Sequence, residues 1–443
     1  MQVYKFGGTS VGSPARMKQV ASLITHSKDR KIVVLSAVSG TTNNLVSISE
    51  FYKLGKIEEA LTVINQMREQ YNLFVKELLT SEFGLNKGQF VVADSLNQIE
   101  RLVNQPLYKK ADKFILAQGE IMSTHLFQCY LDEQGISSVL INALDFMLID
   151  DKEEPALKRI ENKLTPILEG HAEKQLLITQ GYICRNHTGS IDNLKRGGSD
   201  YTATLIGAAI QAEEVQIWTD IDGVHNNDPR IVEDTMPIAQ LSFEEAGELA
   251  YFGAKILHPS CIIPAQQRNV PVRIKNTMDP AAAGTLITAH KNPDKIKAIA
   301  VKDGITAIKI KSTRMVNAYG FLRKIFEVFE KYRTPIDMIT TSEIAVSLSI
   351  DDPSRLEEII SELRPFGIIE IDKEQSIICI VGDFVAQRKG IGKEIFIALE
   401  NIPVRMISYG GSKNNISLLI DSGYKNEALK TLNQFLFKPL IKI

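Results

Sequence analysis

The segment Met1-Gln2-Val3-Tyr4-Lys5-Phe6-Gly7-Gly8-Thr9-Ser10-Val11 decides how the rest of the chain is read. Val3–Phe6 has the character of a short buried strand, and two glycines follow at once. A lysine at a strand end followed by Gly7 and Gly8 suits phosphate: glycines let backbone N–H groups approach anionic oxygens, and the lysine supplies a point charge. The same residues would equally make an ordinary glycine turn beside a solvated lysine. Ile32–Ala37 is a second, almost wholly apolar strand. A strand without polar alternation is usually covered on both faces, as in a parallel sheet. Pro14–His26 has helical spacing between them, so the opening predicts a strand–helix–strand unit.

The pattern continues outward from there. Leu45 to Tyr130 is helical and charged, with no strong strand. Leu176–Thr179 and Val215–Trp218 are further buried strands, each followed by a polar, glycine-containing loop, and Tyr201–Gln211 is an apolar helix between them. This alternation predicts an α/β sandwich. A linker is expected near His290–Lys295, where Asn292-Pro293-Asp294 is turn chemistry.

Beyond the linker the chain repeats itself. Gly320, Ile325, Phe326 and Glu330 recur as Gly390, Ile395, Phe396 and Glu400, each 70 residues on. Ile336-Asp337-Met338-Ile339 is echoed by Val404-Arg405-Met406-Ile407. Each copy reads strand, helix, strand, strand, helix. Copy one runs from Ile305 to about Ile371. Copy two starts near Ile377 and ends weakly, because Pro439 interrupts it. The spare apolar segment Ile296–Val301 could supply its missing strand, and the two copies would then interleave.

Composition narrows the function. The 443 residues suggest about three domains at roughly 150 residues each. Lys+Arg number 51 against 53 Asp+Glu, a balance that argues against a nucleic-acid or membrane-surface binder. No apolar run approaches the roughly 18 residues of a membrane helix, and the N-terminus does not read as a signal peptide. Cys129, Cys184, Cys261 and Cys379 are far apart, and no metal-ligand spacing occurs, so reduced thiols, a cytoplasmic location and no protein-bound metal are expected.

Two more segments carry possible chemistry. Arg196-Gly197-Gly198-Ser199-Asp200 precedes the Tyr201–Gln211 helix. Ser199 or Asp200 can cap it, its free N–H groups would face an anion, and Arg196 can grip a carboxylate. An ordinary glycine-rich cap accounts for part of this segment as well. Trp218-Thr219-Asp220-Ile221-Asp222-Gly223-Val224-His225, continuing through Asp228-Pro229-Arg230, leaves a strand end where open α/β sheets bind ligands. Its aspartates and arginine could hold a nucleotide and its Mg²⁺, or form a plain polar loop. Walker-type, dinucleotide and protein-kinase glycine loops are all missing, so any phosphate binding uses another scaffold.

Together these segments resemble the amino acid kinase family, in particular its aspartate kinases. Lys5-Phe6-Gly7-Gly8-Thr9-Ser10-Val11, Gly119-Glu120-Ile121-Met122-Ser123, Arg196–Asp200, Trp218-Thr219-Asp220, Asp228-Pro229-Arg230 and Phe252-Gly253-Ala254-Lys255 follow in that family's order. The tail resembles a pair of ACT domains. The resemblance implies a three-layer αβα sandwich over 1–290, followed by two ferredoxin-like (βαββαβ) ACT domains, 296–371 and 372–443. It implies transfer of the ATP γ-phosphoryl group to the side-chain carboxylate of L-aspartate, with Mg²⁺. Lys5 and Asp200 would be catalytic. Ser36, Thr42, Glu120, Arg196, Gly197, Gly198 and Ser199 would bind substrate, with Arg196 on the α-carboxylate and Glu120 on the α-ammonium. Lys5, Gly7, Gly8, Thr219, Asp220, His225, Arg230 and Lys255 would bind ATP.

The tail is most similar to the lysine-sensitive members. By that resemblance Met315, Ala318, Gly320, Phe321, Leu322, Asp337, Thr341, Ser342 and Glu343 would hold a lysine effector, Asp337 pairing with its ε-ammonium. Taken alone, Met315, Phe321 and Leu322 suit the core of a sheet-and-helix layer equally well. A homodimer or tetramer through the ACT domains is implied too. The chain departs from the family pattern at Lys195, at His225, at Asn226 and Asn227 (where small hydroxyl residues are common), and at Ala318. Other readings are a different amino acid kinase, or a catalytically inactive amino-acid sensor. A fused homoserine dehydrogenase finds no dinucleotide fingerprint in the chain.

Overall fold

The computed structural model describes residues 1–108, 110–194, 197–253, 257–291, 295–312, 315, 319–383 and 385–437. Of the residues singled out above, Lys195, Arg196, Ala254, Lys255, Asn292-Pro293-Asp294, Ala318 and Pro439 lie outside them. The chain forms two compact units that do not follow chain order: Met1–Val224 with Leu257–Ala289, and His225–Ile256 with His290–Ile443. The segment His225–Ile256 groups with the C-terminal part.

The first unit opens with β1 (Gln2–Phe6), α1 (Pro14–Thr25) and β2 (Lys31–Leu35), close to the expected bounds. Ser13 caps α1 and Pro14 opens it, the combination favoured at a helix start. Four helices follow: α2 (Thr41–Lys53), α3 (Ile57–Leu78), α4 (Glu82–Val103) and α5 (Ala111–Glu133). Then come β3 (Ser138–Leu140), α6 (Ala143–Phe146), α7 (Leu157–Gly170), β4 (Leu176–Gln180), β5 (Ile183–Arg185), β6 (Ile191–Asn193), α8 (Gly198–Ala209) and β7 (Val215–Thr219). After β8 (Gln240–Ser242) and α9 (Phe243–Tyr251) of the second unit, α10 (Pro259–Arg268), β9 (Val272–Asn276) and β10 (Thr285–Thr288) complete the first. Its strands run in the order β3-β4-β2-β1-β7-β9-β10. All pairs are parallel except β9 with β10. The apolar β2 and β4 are buried at every position, as a sheet covered on both faces requires. One core joins the sheet to α1–α5 through Phe6, Met17, Leu35, Leu45, Ile64, Leu96 and Phe127.

The second unit holds a six-stranded antiparallel sheet. It contains β11 (Ile296–Lys311), α11 (Phe321–Lys331), β12 (Met338–Thr341), β13 (Ala345–Ile350), α12 (Leu356–Leu363), β14 (Ile368–Gly382), α13 (Ile391–Ala398), β15 (Val404–Tyr409), β16 (Asn415–Asp421) and α14 (Lys425–Phe437). The order is β12-β13-β11-β14-β16-β15. Strands β11 and β14 are each shared by two half-sheets. Residues Thr306–Lys311 pair with β13, and Ala307–Lys311 with Ile368–Asp372. Upstream, Ile296–Lys302 pairs with Ile377–Gly382, whose other edge pairs with β16. Each half therefore has four strands in one order, and the first copy's leading segment is the second copy's closing strand. The repeat positions are structurally equivalent. Gly320 and Gly390 are left-handed N-caps of α11 and α13. Ile325 and Ile395 are buried, and Phe326 and Phe396 are exposed.

Candidate active site

β1 is the strand from which the order runs out both ways, with β2 on one side and β7 on the other. Ligands of open α/β sheets bind beyond the C-terminal strand ends at such a reversal. Lys5, Gly7, Gly8 and Ser36 lie at or just beyond these strand ends. Lys5 is buried near the end of β1, and its Nζ lies 2.6 Å from Asp200 Oδ1 in the first turn of α8. The side chains are 11% and 17% exposed, so the pair is largely screened from water.

The glycines make this approach possible. Gly7 N–H donates to Trp218 O at the end of β7, 3.3 Å. A Cβ on Gly8 would sit 3.0 Å from Ala37 O. Gly197 caps α8 with φ +79°, and a Cβ there would meet Cys261 Sγ at 2.5 Å and His258 Cβ at 2.8 Å. Cβ atoms at Gly198 and Gly181 would overlap Tyr182 and Ser199. One expectation needs correction. Ser199 and Asp200 do not cap the helix but lie within it, because the left-handed Gly197 starts α8 three residues earlier than read. The consequence suits the site: the first-turn carboxylate of Asp200 meets both the helix dipole and Lys5.

Ser36 is half-buried just beyond β2, and its N–H donates to Phe6 O, 3.2 Å. Glu120 comes from α5. Its Oε1 accepts from Ala37 N–H at 3.3 Å, in the same loop. Although helical, this glutamate is only 5% exposed. Burial raises its pKa to about 8, against the hydrogen bond from Ala37. Gly119 permits the approach, since a Cβ there would stand 2.9 Å from Ala37 Cβ. Thr42 is exposed. Its neighbour Thr41, which the sequence reading passed over, is buried and shares a 2.6 Å hydrogen bond with the Tyr71 hydroxyl of α3.

Tyr182 was missed as well. It follows β4 with φ +66°, unusual for a non-glycine residue, held by its N–H to Thr202 Oγ1 of α8, 2.9 Å. The available signal was its place after a buried parallel strand. Thr219 and the exposed Asp220 close β7, with Thr219 Oγ1 donating to Asp220 Oδ1 at 3.1 Å.

The other nucleotide candidates belong to the second unit. His225 Nδ1 lies 2.9 Å from Thr235 Oγ1. Arg230 grips Asp228 through Nε at 2.9 Å and Nη2 at 2.7 Å, and its side chain is 81% exposed.

Among the effector candidates, Met315 and Phe321 pack against the core of the first half-sheet. Gly320, Leu322, Thr341, Ser342 and Glu343 are exposed. Asp337 is not open to solvent. Its side chain is 1% exposed, and Oδ1 receives Lys302 Nζ at 2.6 Å and the Tyr251 hydroxyl at 3.0 Å. Lys302 also meets Asp351 at 2.8 Å and lies 4.6 Å from the Tyr251 ring centroid.

Residues 1–276 match the amino acid kinase family, and residues 378–436 match an ACT domain. Aspartokinase 3, chloroplastic, from Arabidopsis thaliana is 34% identical over 98% of this chain and 81% of its own length. Lysine-sensitive aspartokinase 3 of Escherichia coli is 31% identical, over 98% of this chain and 99% of its own. The crystal structure of E. coli aspartokinase III with aspartate and ADP superposes with a TM-score of 0.85 at 30% identity, covering 99% of this chain and all of that one. Lys5, the glycines after β1, the buried Glu120 and the α8 N-terminus thus lie in a chain that belongs to the aspartokinases of the amino acid kinase family.

Proposed function

We infer that the protein transfers the γ-phosphoryl group of ATP to the side-chain carboxylate of L-aspartate, giving 4-phospho-L-aspartate. The observation that carries this is the Lys5–Asp200 pair at the N-terminus of α8, with glycines on both sides. A carboxylate acceptor is already ionised at neutral pH, so no general base is needed. The protein's work is alignment and charge stabilisation. Lys5 neutralises the transferring group, and Asp200 keeps its ammonium aimed. The backbone at Gly7, Gly8 and Gly197–Gly198 cradles the phosphate oxygens. Glu120 takes the α-ammonium of aspartate, Arg196 its α-carboxylate, and Ser36 and Thr42 lie along the acceptor. Thr219, Asp220, His225, Arg230 and Lys255 take the nucleotide.

Mg²⁺ would enter with the nucleotide and would supply charge neutralisation at its phosphates. The exposed carboxylate of Asp220 at the end of β7 is a hard oxygen donor of the kind Mg²⁺ accepts. The reading divides the chain into a catalytic part, 1–290, and two ACT domains, 296–371 and 372–443, with Ile296–Lys302 going to the second. Lysine is the effector, held by Met315, Ala318, Gly320–Leu322, Asp337 and Thr341–Glu343. The named lysine sensitivity of the E. coli relative supports this. The homodimer rests on the resemblance, and the cytoplasmic location on cysteine usage.

The test is ATP- and Mg²⁺-dependent ADP release with L-aspartate, L-glutamate or no acceptor, each with and without lysine or threonine. Turnover on aspartate alone, reduced by lysine, is expected. Turnover reduced only by threonine would overturn the effector, and no turnover with any acceptor would overturn the kinase.

A further inference from the structure

Asn226 and Asn227 are departures from the family pattern that the catalytic reading leaves unused. Both are nearly fully buried, at 4% and 3% exposure, in a loop between aspartates and an arginine. Asn226 pairs with Met236 in its own loop, its N–H donating to Met236 O at 3.0 Å and its Oδ1 accepting from Met236 N–H at 2.8 Å, and further partners of both asparagines lie in the C-terminal repeat. The backbone carbonyl of Asn226 accepts from Ile299 N–H of β11, 2.8 Å. The Asn227 amide nitrogen donates to Leu429 O, 3.0 Å, and to Asn433 Oδ1, 3.3 Å, both on α14. Its amide oxygen accepts from Asp228 N–H, 2.9 Å. Asp228 in turn accepts from Arg230 N–H and clasps the guanidinium. Two residues on, Val232 is buried among Leu429, Leu432 and Ala428.

One side chain thus joins the helix to the turn. An amide is the group that can do this, because it donates to α14 and accepts from Asp228 at once. The Asp228 clasp takes one edge of the guanidinium and leaves Nη1 directed away from it, on an exposed side chain. That is the geometry of an arginine held ready for an anionic oxygen.

We infer that Asn227 is a positioning residue through which helix α14 of the C-terminal repeat fixes the Asp228–Arg230 turn, and with it the affinity for the nucleotide phosphates. This rests on the reading of Arg230 as a nucleotide contact. A shift of α14 against β11 is then felt at Arg230, since Asn227 anchors the turn on α14 and the Asn226 carbonyl anchors it on β11.

The experiment is steady-state kinetics of the full chain, varying ATP and aspartate separately, for Asn227→Asp, Asn433→Leu and Arg230→Ala. In Asn227→Asp a carboxylate oxygen faces two acceptors. KM for ATP should rise about five- to tenfold, with kcat and KM for aspartate within about twofold. Lowering the pH should narrow the ATP defect, because the protonated acid regains a donor. Asn433→Leu leaves the loop sequence intact and should raise KM for ATP to a lesser degree. Unchanged ATP affinity in both variants, beside a raised KM in Arg230→Ala, would overturn the tether and leave Arg230 in place. So would a parallel loss of kcat and both affinities with a lowered Tm, the mark of a purely structural asparagine. An unchanged KM for ATP in Arg230→Ala would overturn the nucleotide role of Arg230, and the tether with it.

Discussion

Lys302 Nζ stands 2.6 Å from Asp337 Oδ1, so the carboxylate expected to hold an effector's ammonium already holds one of the chain's own. Burial works against the Lys302 charge, but the hydrogen bonds to Asp337 and Asp351 outweigh it and raise its pKa. An incoming ε-ammonium must share or displace this one. Lys302→Met should therefore strengthen lysine inhibition. A net hydrogen-bond worth of about 0.5–1.5 kcal/mol corresponds to a two- to tenfold lower half-inhibitory concentration. Inhibition curves at fixed aspartate decide it, and an unchanged or higher value would show that lysine does not compete for Asp337.

Lys5→Met removes the charge at the phosphoryl group while keeping the side-chain length. Loss of one preorganised donor costs about 10²–10³ in kcat. Since the methionine leaves Asp200 buried without its cation, Lys5→Met/Asp200→Asn should be more stable than the single variant and no more active. Thermal denaturation alongside turnover separates the two effects.

Glu120 makes aspartate binding depend on pH. Its folded pKa of about 8 lies above the ordinary 4.5. The site is therefore mostly neutral at pH 6 and must lose a proton to meet an ammonium. KM for aspartate should fall as pH rises from 6 to 8, by up to about tenfold per unit, and Glu120→Gln should flatten the profile. The stability sign is the reverse. The folded state keeps a proton that the unfolded chain loses, so this contribution is full below pH 4.5 and is lost as pH rises toward 8. A pH-independent KM in the wild type would remove Glu120 from the ammonium site.

Gly197→Ala tests the entry to α8. The left-handed φ of +79° costs a non-glycine residue roughly 1–2 kcal/mol. The new methyl would also press on Cys261 and His258. Expected are a Tm several degrees lower and a kcat loss greater than that of Gly189→Ala, a left-handed glycine with open space around its Cβ position. Equal kcat in the two variants would separate the Gly197 turn from catalysis.

The shared strands make a prediction about fragments. A fragment starting at Ile296 keeps the pairing of Ile296–Lys302 with Ile377–Gly382, while one starting at Asp303 exposes that edge of β14. An unpaired hydrophobic edge invites association. The shorter fragment should aggregate or melt lower, as scattering and circular dichroism would record. Equal behaviour would contradict the sharing.

The elements whose evidence is local were legible in the amino-acid order alone. β1, β2, β4 and β7 are apolar runs between turn residues, and Gly7, Gly8, Gly197 and Gly198 announce close backbone approach. The C-terminal repeat was legible because a period needs no tertiary information, and even the sharing of strand Ile296–Val301 followed from counting strands. Pairings between residues far apart in the chain became visible only once the elements were packed together. Thr41 rather than Thr42 meets Tyr71, because the helical phase of α2 turns one inward and the other to solvent. Glu120 looks like any helical glutamate until packing around Gly119 buries it. Asp337 finds Lys302 across 35 residues, and Asn227 finds Leu429 across 202. Composition cannot encode such contacts. They arise when the apolar surfaces of separate elements are buried together, and the polar groups carried along must then find partners where burial has left them.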